Sequence, residues 1–152
     1  MAFNLTAKWN KTQNDIFKSF DKLAVQCLSG QVTAVREATF LVHETAVKSL
    51  QDNSSGTPQR RYDPKRTVLV SKPGEPPNTD TGRAVQSIKL DFKKEGLIGR
   101  VGTNLNYLRA LEFGTKYIAP RPWLSAALKE VSKDIADIFK RGFKKSIKDS
   151  SL

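Results

Sequence analysis

Few residues in this chain have the types and spacing that chemistry needs. His43 is the only histidine, next to Glu44 on a stretch with helical periodicity. A lone histidine four residues from Thr39 and Val47 reads as a helix residue, not as a base. Cys27 is the only cysteine, which excludes an intrachain disulfide and a thiolate zinc site. It falls on an apolar stripe, so a small buried hydrophobe is its expected role. Pairing it with His43 as nucleophile and base lacks a third, orienting group. Glu37, Glu44, Glu75, Glu95, Glu112 and Glu130 are scattered over separate elements, with no spacing suited to acid–base work. Gly99, Gly102 and Gly114 do not form a phosphate loop, which needs a tighter glycine spacing and a Lys-Ser/Thr ending. No metal and no cofactor is expected. By elimination, the chain reads as a binding or assembly module and not as an enzyme.

The elements that would carry such a module are legible from periodicity. Ile16, Phe17, Phe20, Leu23, Ala24, Cys27 and Leu28 recur at three- and four-residue steps, predicting an amphipathic helix over 12–28 capped by Thr12 or Asn14. Ser29-Gly30 breaks the pattern, and a second helical stretch runs over 31–50 with Val32, Val35, Ala38, Val42, Ala46 and Leu50 on one face. Periodicity alone leaves a helical hairpin and a single kinked helix both open. Residues 53–82 read as a proline-rich loop, with Thr67–Val70 as a short edge strand. Asp80 to Ala84 fits a helical turn capped by Asp80 or Thr81. The alternation Ser87–Phe92, the turn Lys94-Glu95-Gly96 and the return Leu97–Gly102 predict a β-hairpin. Asn104 caps a predicted short helix ending at Phe113.

A final helix begins near Pro122, a position where proline is tolerated. Leu124, Ala127, Leu128, Val131, Ile135, Ile138, Phe139 and Phe143 run down one side of it for about seven turns, roughly 40 Å. The expected fold class is α+β: N-terminal helices and a long C-terminal helix packed on a small antiparallel sheet. The chain of 152 residues suits one domain over 1–152, with a basic C-terminal tail.

Composition narrows the partners. Twenty-six Lys and Arg against fifteen Asp and Glu give a net charge of +11. Such a surface favours anionic partners: nucleic acid, an acidic protein face or an anionic membrane face. Lys140, Arg141, Lys144, Lys145 and Lys148 make a cationic stripe on the last helix, the candidate basic face. Lysines there also complement the helix dipole, so a plain solvated face is the competing reading. No apolar run approaches the roughly 20 residues of a membrane span, so no membrane partner is expected. The N-terminus lacks the basic and apolar regions of a secretory signal, and a reducing cytoplasm is the expected compartment.

Two stretches are more specific. The first is Ser71-Lys72-Pro73-Gly74-Glu75-Pro76-Pro77, followed by Asp80-Thr81-Gly82 and Ser87-Ile88. The second is Val101-Gly102-Thr103-Asn104, Tyr107, Leu111-Glu112-Phe113-Gly114-Thr115 and Arg121-Pro122-Trp123-Leu124 with Ala126 and Ala127. In this order they resemble the head–tail joining (neck, tail-completion or minor tail) proteins of tailed bacteriophages, across most of the chain. Arg83-Ala84 after Thr-Gly and Leu108 after Tyr107 depart from that family's usual Leu and Ala.

The resemblance implies a structural virion protein, assembled in the host cytoplasm. It implies a homo-oligomeric ring of six or twelve copies in the neck, between head-connector and tail proteins, with DNA passing through. A loop stiffened by Pro73, Pro76 and Pro77, with Gly74, Glu75, Thr81 and Gly82, suits an interface because it loses little entropy on docking; covering its own sheet edge is the alternative. Glu112-Phe113-Gly114-Thr115 reads as a helix-ending turn, with Phe113 in the core and Gly114 at positive φ. Arg121, before Pro122, is placed to pair with Glu112 or with a neighbour's carboxylate. The competing function is a stand-alone basic nucleic-acid-binding protein.

Overall fold

The computed structural model describes residues 5–52, 56–62 and 64–150. The fold is α+β, as the periodicity predicts. It begins with one helix, α1 (Leu5–Gln51), 47 residues long and roughly 70 Å from end to end. Of the helical hairpin and the single helix that periodicity leaves open, the structure has the single helix, and Asn14 and Thr12 lie inside it, not at a cap.

The reason lies at the presumed break. Ser29 Oγ turns back to Gln26 O and Thr33 Oγ1 to Ser29 O, so these hydroxyls stay within the helix. Gly30 faces the last helix: a Cβ there would lie 2.0 Å from Ser146 Oγ and 3.3 Å from Gly142 O. Glycine costs a helix about 1 kcal/mol; here it permits a close helix crossing that any side chain would block.

After α1 the chain makes a hairpin, β1 (Thr57–Tyr62) with β2 (Lys65–Val70), antiparallel in the register Thr57↔Val70 to Tyr62↔Lys65. Only the second strand was expected, within a proline-rich loop over 53–82. Pro58 is tolerated because β1 is an edge strand, whose outward side needs no N–H donor. Residues 53–55 of that expected loop, and Asp63, lie outside the described residues.

A short helix follows, α2 (Arg83–Gln86). It starts at Gly82 (φ 74°) without a side-chain cap, because Asp80 is engaged elsewhere. The second hairpin is the predicted one: β3 (Ile88–Lys93) and β4 (Ile98–Thr103), joined by a 3-10 turn at Lys94–Gly96. It lies on α1, and Gly99 approaches so closely that a Cβ would overlap Thr39 Oγ1 at 1.8 Å.

Helix α3 (Asn106–Phe113) lacks the expected Asn104 cap. Thr103 Oγ1 accepts the Leu105 N–H instead, at 3.1 Å, and meets Ser87 Oγ at 2.7 Å. The expected long final helix is divided into α4 (Leu124–Glu130) and α5 (Ser132–Ser150) at Val131, which leaves helical geometry with ψ 6°. The joint lets the two halves pack on different parts of α1.

The main core gathers Ala46 and Leu50 of α1, Ile88, Leu108, Trp123 and Ala127. A smaller cluster, Ala34, Ala38 and Ile138, joins α1 to α5. The expected apolar stripes are only partly used. Leu128 and Phe143 are half exposed, and so are Ile16, Phe17, Phe20 and Leu28. Helix α5 runs antiparallel to α1 and its Asp149 carbonyl meets Gln26, so the apolar stripe nearer the N-terminus runs past its end.

Candidate assembly interface

The two specific sequence stretches come together at one corner of the molecule. Glu112, on the last turn of α3, reaches the start of α4. Its Oε2 accepts the N–H groups of Trp123 (2.8 Å) and Leu124 (3.0 Å), and its Oε1 that of Ser125 (2.9 Å). These are N–H groups that a helix start leaves without intrahelical partners. Burial pushes the Glu112 pKa up; the hydrogen bonds from the Ser125 side chain and from the backbone of Trp123, Leu124 and Ser125 together outweigh it, and the carboxyl ends below its ordinary value. Glu112 is thus a remote cap for α4 and not the partner of Arg121.

Arg121 turns the other way. Its Nε donates to Ser71 O at 3.1 Å, while its N–H donates to Leu111 O at 2.6 Å. Between Glu112 and Arg121 the chain makes a tight loop. Gly114 has φ 74°, as expected; Thr115 N–H donates to Ile118 O, and Thr115 Oγ1 accepts from Tyr117 and Ile118. Phe113 is 77% exposed, contrary to its expected core position. It is the last residue of α3, and the helix buries Leu108 on the opposite side while Glu112 turns towards α4. Tyr117 is 88% exposed. Pro122, half-buried, precedes Trp123, whose buried indole N–H donates to Leu108 O.

The loop over 71–82 is lashed to the same corner. Gly74 N–H donates to Pro120 O at 2.9 Å, and Asn78 Nδ2 to Leu69 O at 3.1 Å. Thr79 Oγ1 donates to Leu50 O at the end of α1. Asp80 binds Arg66 at 2.6 Å and Arg61 at 3.1 Å. Pro77 is buried, Glu75, Pro76 and Gly82 are half-buried, and Pro73, Gly74 and Thr81 are exposed. The loop covers its own chain with one side and presents Pro73-Gly74 on the other, beside the 113–120 loop. A cleft of about 430 Å³ lies beneath it, with Arg61, Asp80, Arg83 and Arg121 in its wall.

The stripe on α5 is exposed along Lys140, Arg141, Lys144, Lys145 and Lys148, but part of it is already paired. Arg141 bridges Glu37 at 3.0 Å and Lys140 bridges Asp137 at 3.1 Å. A second basic surface escaped the sequence reading: Arg60, Arg61, Lys65 and Arg66 flank Tyr62 at the tip of the β1–β2 hairpin. The available signal was two short strand-like runs separated by Asp63-Pro64. Cys27 and His43 are half-buried on α1. Among the described residues no three of His, Cys, Asp or Glu gather to hold a metal ion, and no helix is long and apolar enough to cross a membrane.

No protein-family model, curated protein or solved structure matches this chain significantly.

Proposed function

We propose that this chain is a structural, non-catalytic virion protein of a tailed phage. In this reading it forms a ring of six or twelve copies in the neck, joining the head connector to the tail and letting DNA pass. It is assembled in the host cytoplasm and its final place is the virion neck. The observation that supports it most is the tie between the two stretches that carry the resemblance. Gly74 N–H meets Pro120 O, and Arg121 Nε meets Ser71 O fifty residues away in sequence. They build a stiff corner that keeps Phe113, Tyr117 and Ile118 exposed. Large apolar side chains held at the surface by a pre-organised loop suit protein contact, since little entropy is lost on docking. A ring needs two different complementary surfaces on each subunit. The corner supplies one, and the half-exposed stripe Ile16, Phe17, Phe20 and Leu28 on α1 supplies the other.

The test is native mass with negative-stain imaging, at low and high salt. Closed rings of six or twelve, lost in a Phe113→Ser/Tyr117→Ser double variant of unchanged thermal stability, are the expected result. A chain that stays monomeric at every salt and also ignores connector and tail proteins overturns the reading. The basic hairpin favours a second reading, a stand-alone nucleic-acid-binding protein, which predicts DNA binding by a monomer.

A further inference from the structure

The β1–β2 hairpin forms a sheet of its own, separate from β3–β4, and every residue of β1 is exposed. Its strands are six residues long, about 20 Å. In β2 only Arg66, Val68 and Val70 are half-buried, all on one face, so the side chains of the other face are free for other uses.

The register sorts them onto two faces. Arg61 stands directly opposite Arg66. Like charges in that position repel, and both guanidinium groups are held by Asp80 from the loop over 71–82. That face is the anchor. The other face sets Tyr62 opposite Lys65 and Arg60 opposite Thr67. Among the described residues neither Arg60 nor Lys65 has an ion-pair partner. Tyr62, between them, is 86% exposed. The hairpin tip is thus a narrow ribbon with two available cations and an aromatic ring on its outer face, braced from behind by a two-arginine clamp.

We infer that the outer face of the β1–β2 hairpin, Arg60, Tyr62 and Lys65, is a contact surface for the phosphate backbone of duplex DNA. A two-stranded ribbon fits the width of the major groove. Cations meet phosphates on either wall, and a phenol offers both a hydroxyl donor and a flat face. The choice of duplex DNA over an acidic protein rests on the head–tail reading, in which DNA passes every subunit. The α5 stripe is the weaker candidate, because Arg141 and Lys140 already hold carboxylates of this chain.

The experiment is anisotropy of a short labelled duplex titrated with the full chain between about 50 and 200 mM salt. Each phosphate contact contributes about 0.9 to the slope of log affinity against log salt, so Arg60→Ala/Lys65→Ala lowers that slope by about 1.8. The same arithmetic gives an affinity loss of about sixtyfold at ~0.1 M salt. Arg60→Lys/Lys65→Arg, which keeps both charges, retains binding within about threefold. Tyr62→Ala weakens binding with the slope unchanged. Lys144→Ala/Lys145→Ala/Lys148→Ala binds like the parent. The inference is overturned by absent duplex binding at about 50 mM salt, by a hairpin variant that binds like the parent, or by stronger binding to polyglutamate than to DNA. Imaging the same samples separates the two proposals. Rings that do not bind DNA overturn this contact and leave the ring; a chain that binds DNA through the hairpin but stays monomeric at every salt and ignores connector and tail proteins supports the contact and overturns the ring.

Discussion

Replacing Glu112 by alanine removes the acceptor for three backbone N–H groups at once. Loss of a helix cap costs about 0.5–2 kcal/mol. Here the acceptor is ionised and the Trp123 end of α4 is buried, so at least one N–H is left without water or partner, adding about 1–3 kcal/mol. The expected destabilisation is about 2–4 kcal/mol, a fall in Tm of about 5–15 °C for a chain of this length. Glu112→Gln keeps one oxygen acceptor and loses the charge, and falls by about half as much. The pH dependence separates charge from shape. The folded pKa lies below its ordinary value of 4.5, so the unfolded chain binds the proton more readily. The cap's contribution is complete above that ordinary value and is lost as pH falls through the folded one. Thermal unfolding followed by circular dichroism from about pH 7 to pH 3 should show parent and Glu112→Gln converging in the acid range. A Glu112→Ala protein with the parent Tm, or a parent–Gln gap that does not change with pH, refutes the capping argument.

Gly30→Ala should destabilise the chain by about 1–3 kcal/mol despite better helix propensity, because its Cβ enters the space of Ser146. Adding Ser146→Ala should recover most of that, and Gly142→Ala, whose nearest contacts are at 3.4 Å, should be close to neutral; urea unfolding reads all three. A Gly30→Ala protein as stable as the parent would show that the two helices are not held that closely. Asp80→Ala should change global stability by no more than about 1 kcal/mol, as for an exposed ion pair. It should still lower amide protection in β1 and β2 and leave β3–β4 untouched, because Arg61 and Arg66 then face each other unscreened. Equal protection in all four strands would refute the clamp.

Legibility followed how local each decision is. The β3–β4 hairpin was readable because alternation and a turn sequence act over a few neighbouring residues. The C-terminal half of α1 was readable because Ala38, Val42, Ala46 and Leu50 keep one face to the core. Gly30 left a hairpin and a single helix both open because a glycine that ends a helix and one that admits a crossing helix look the same in one dimension. The β1–β2 hairpin was half missed because proline and charge count against a strand until its edge position is known. At the candidate interface, Gly114 at positive φ was legible, while Phe113 was misplaced because its exposure depends on which way α3 faces.

The sequence by itself determined the α+β class, the helical and strand periods and the basic charge. Those properties are set by neighbours within about one or two turns of chain, where backbone sterics and side-chain alternation act directly. Only the tertiary structure decided that Glu112 caps α4, that Arg121 binds Ser71 O and that Asp80 holds two arginines. Each of those contacts joins residues from separate elements, and which carboxylate meets which donor depends on how the helices and hairpins pack. Packing is chosen by the burial of Trp123, Leu108 and Leu50 together, and that shared core exists only once the chain has folded.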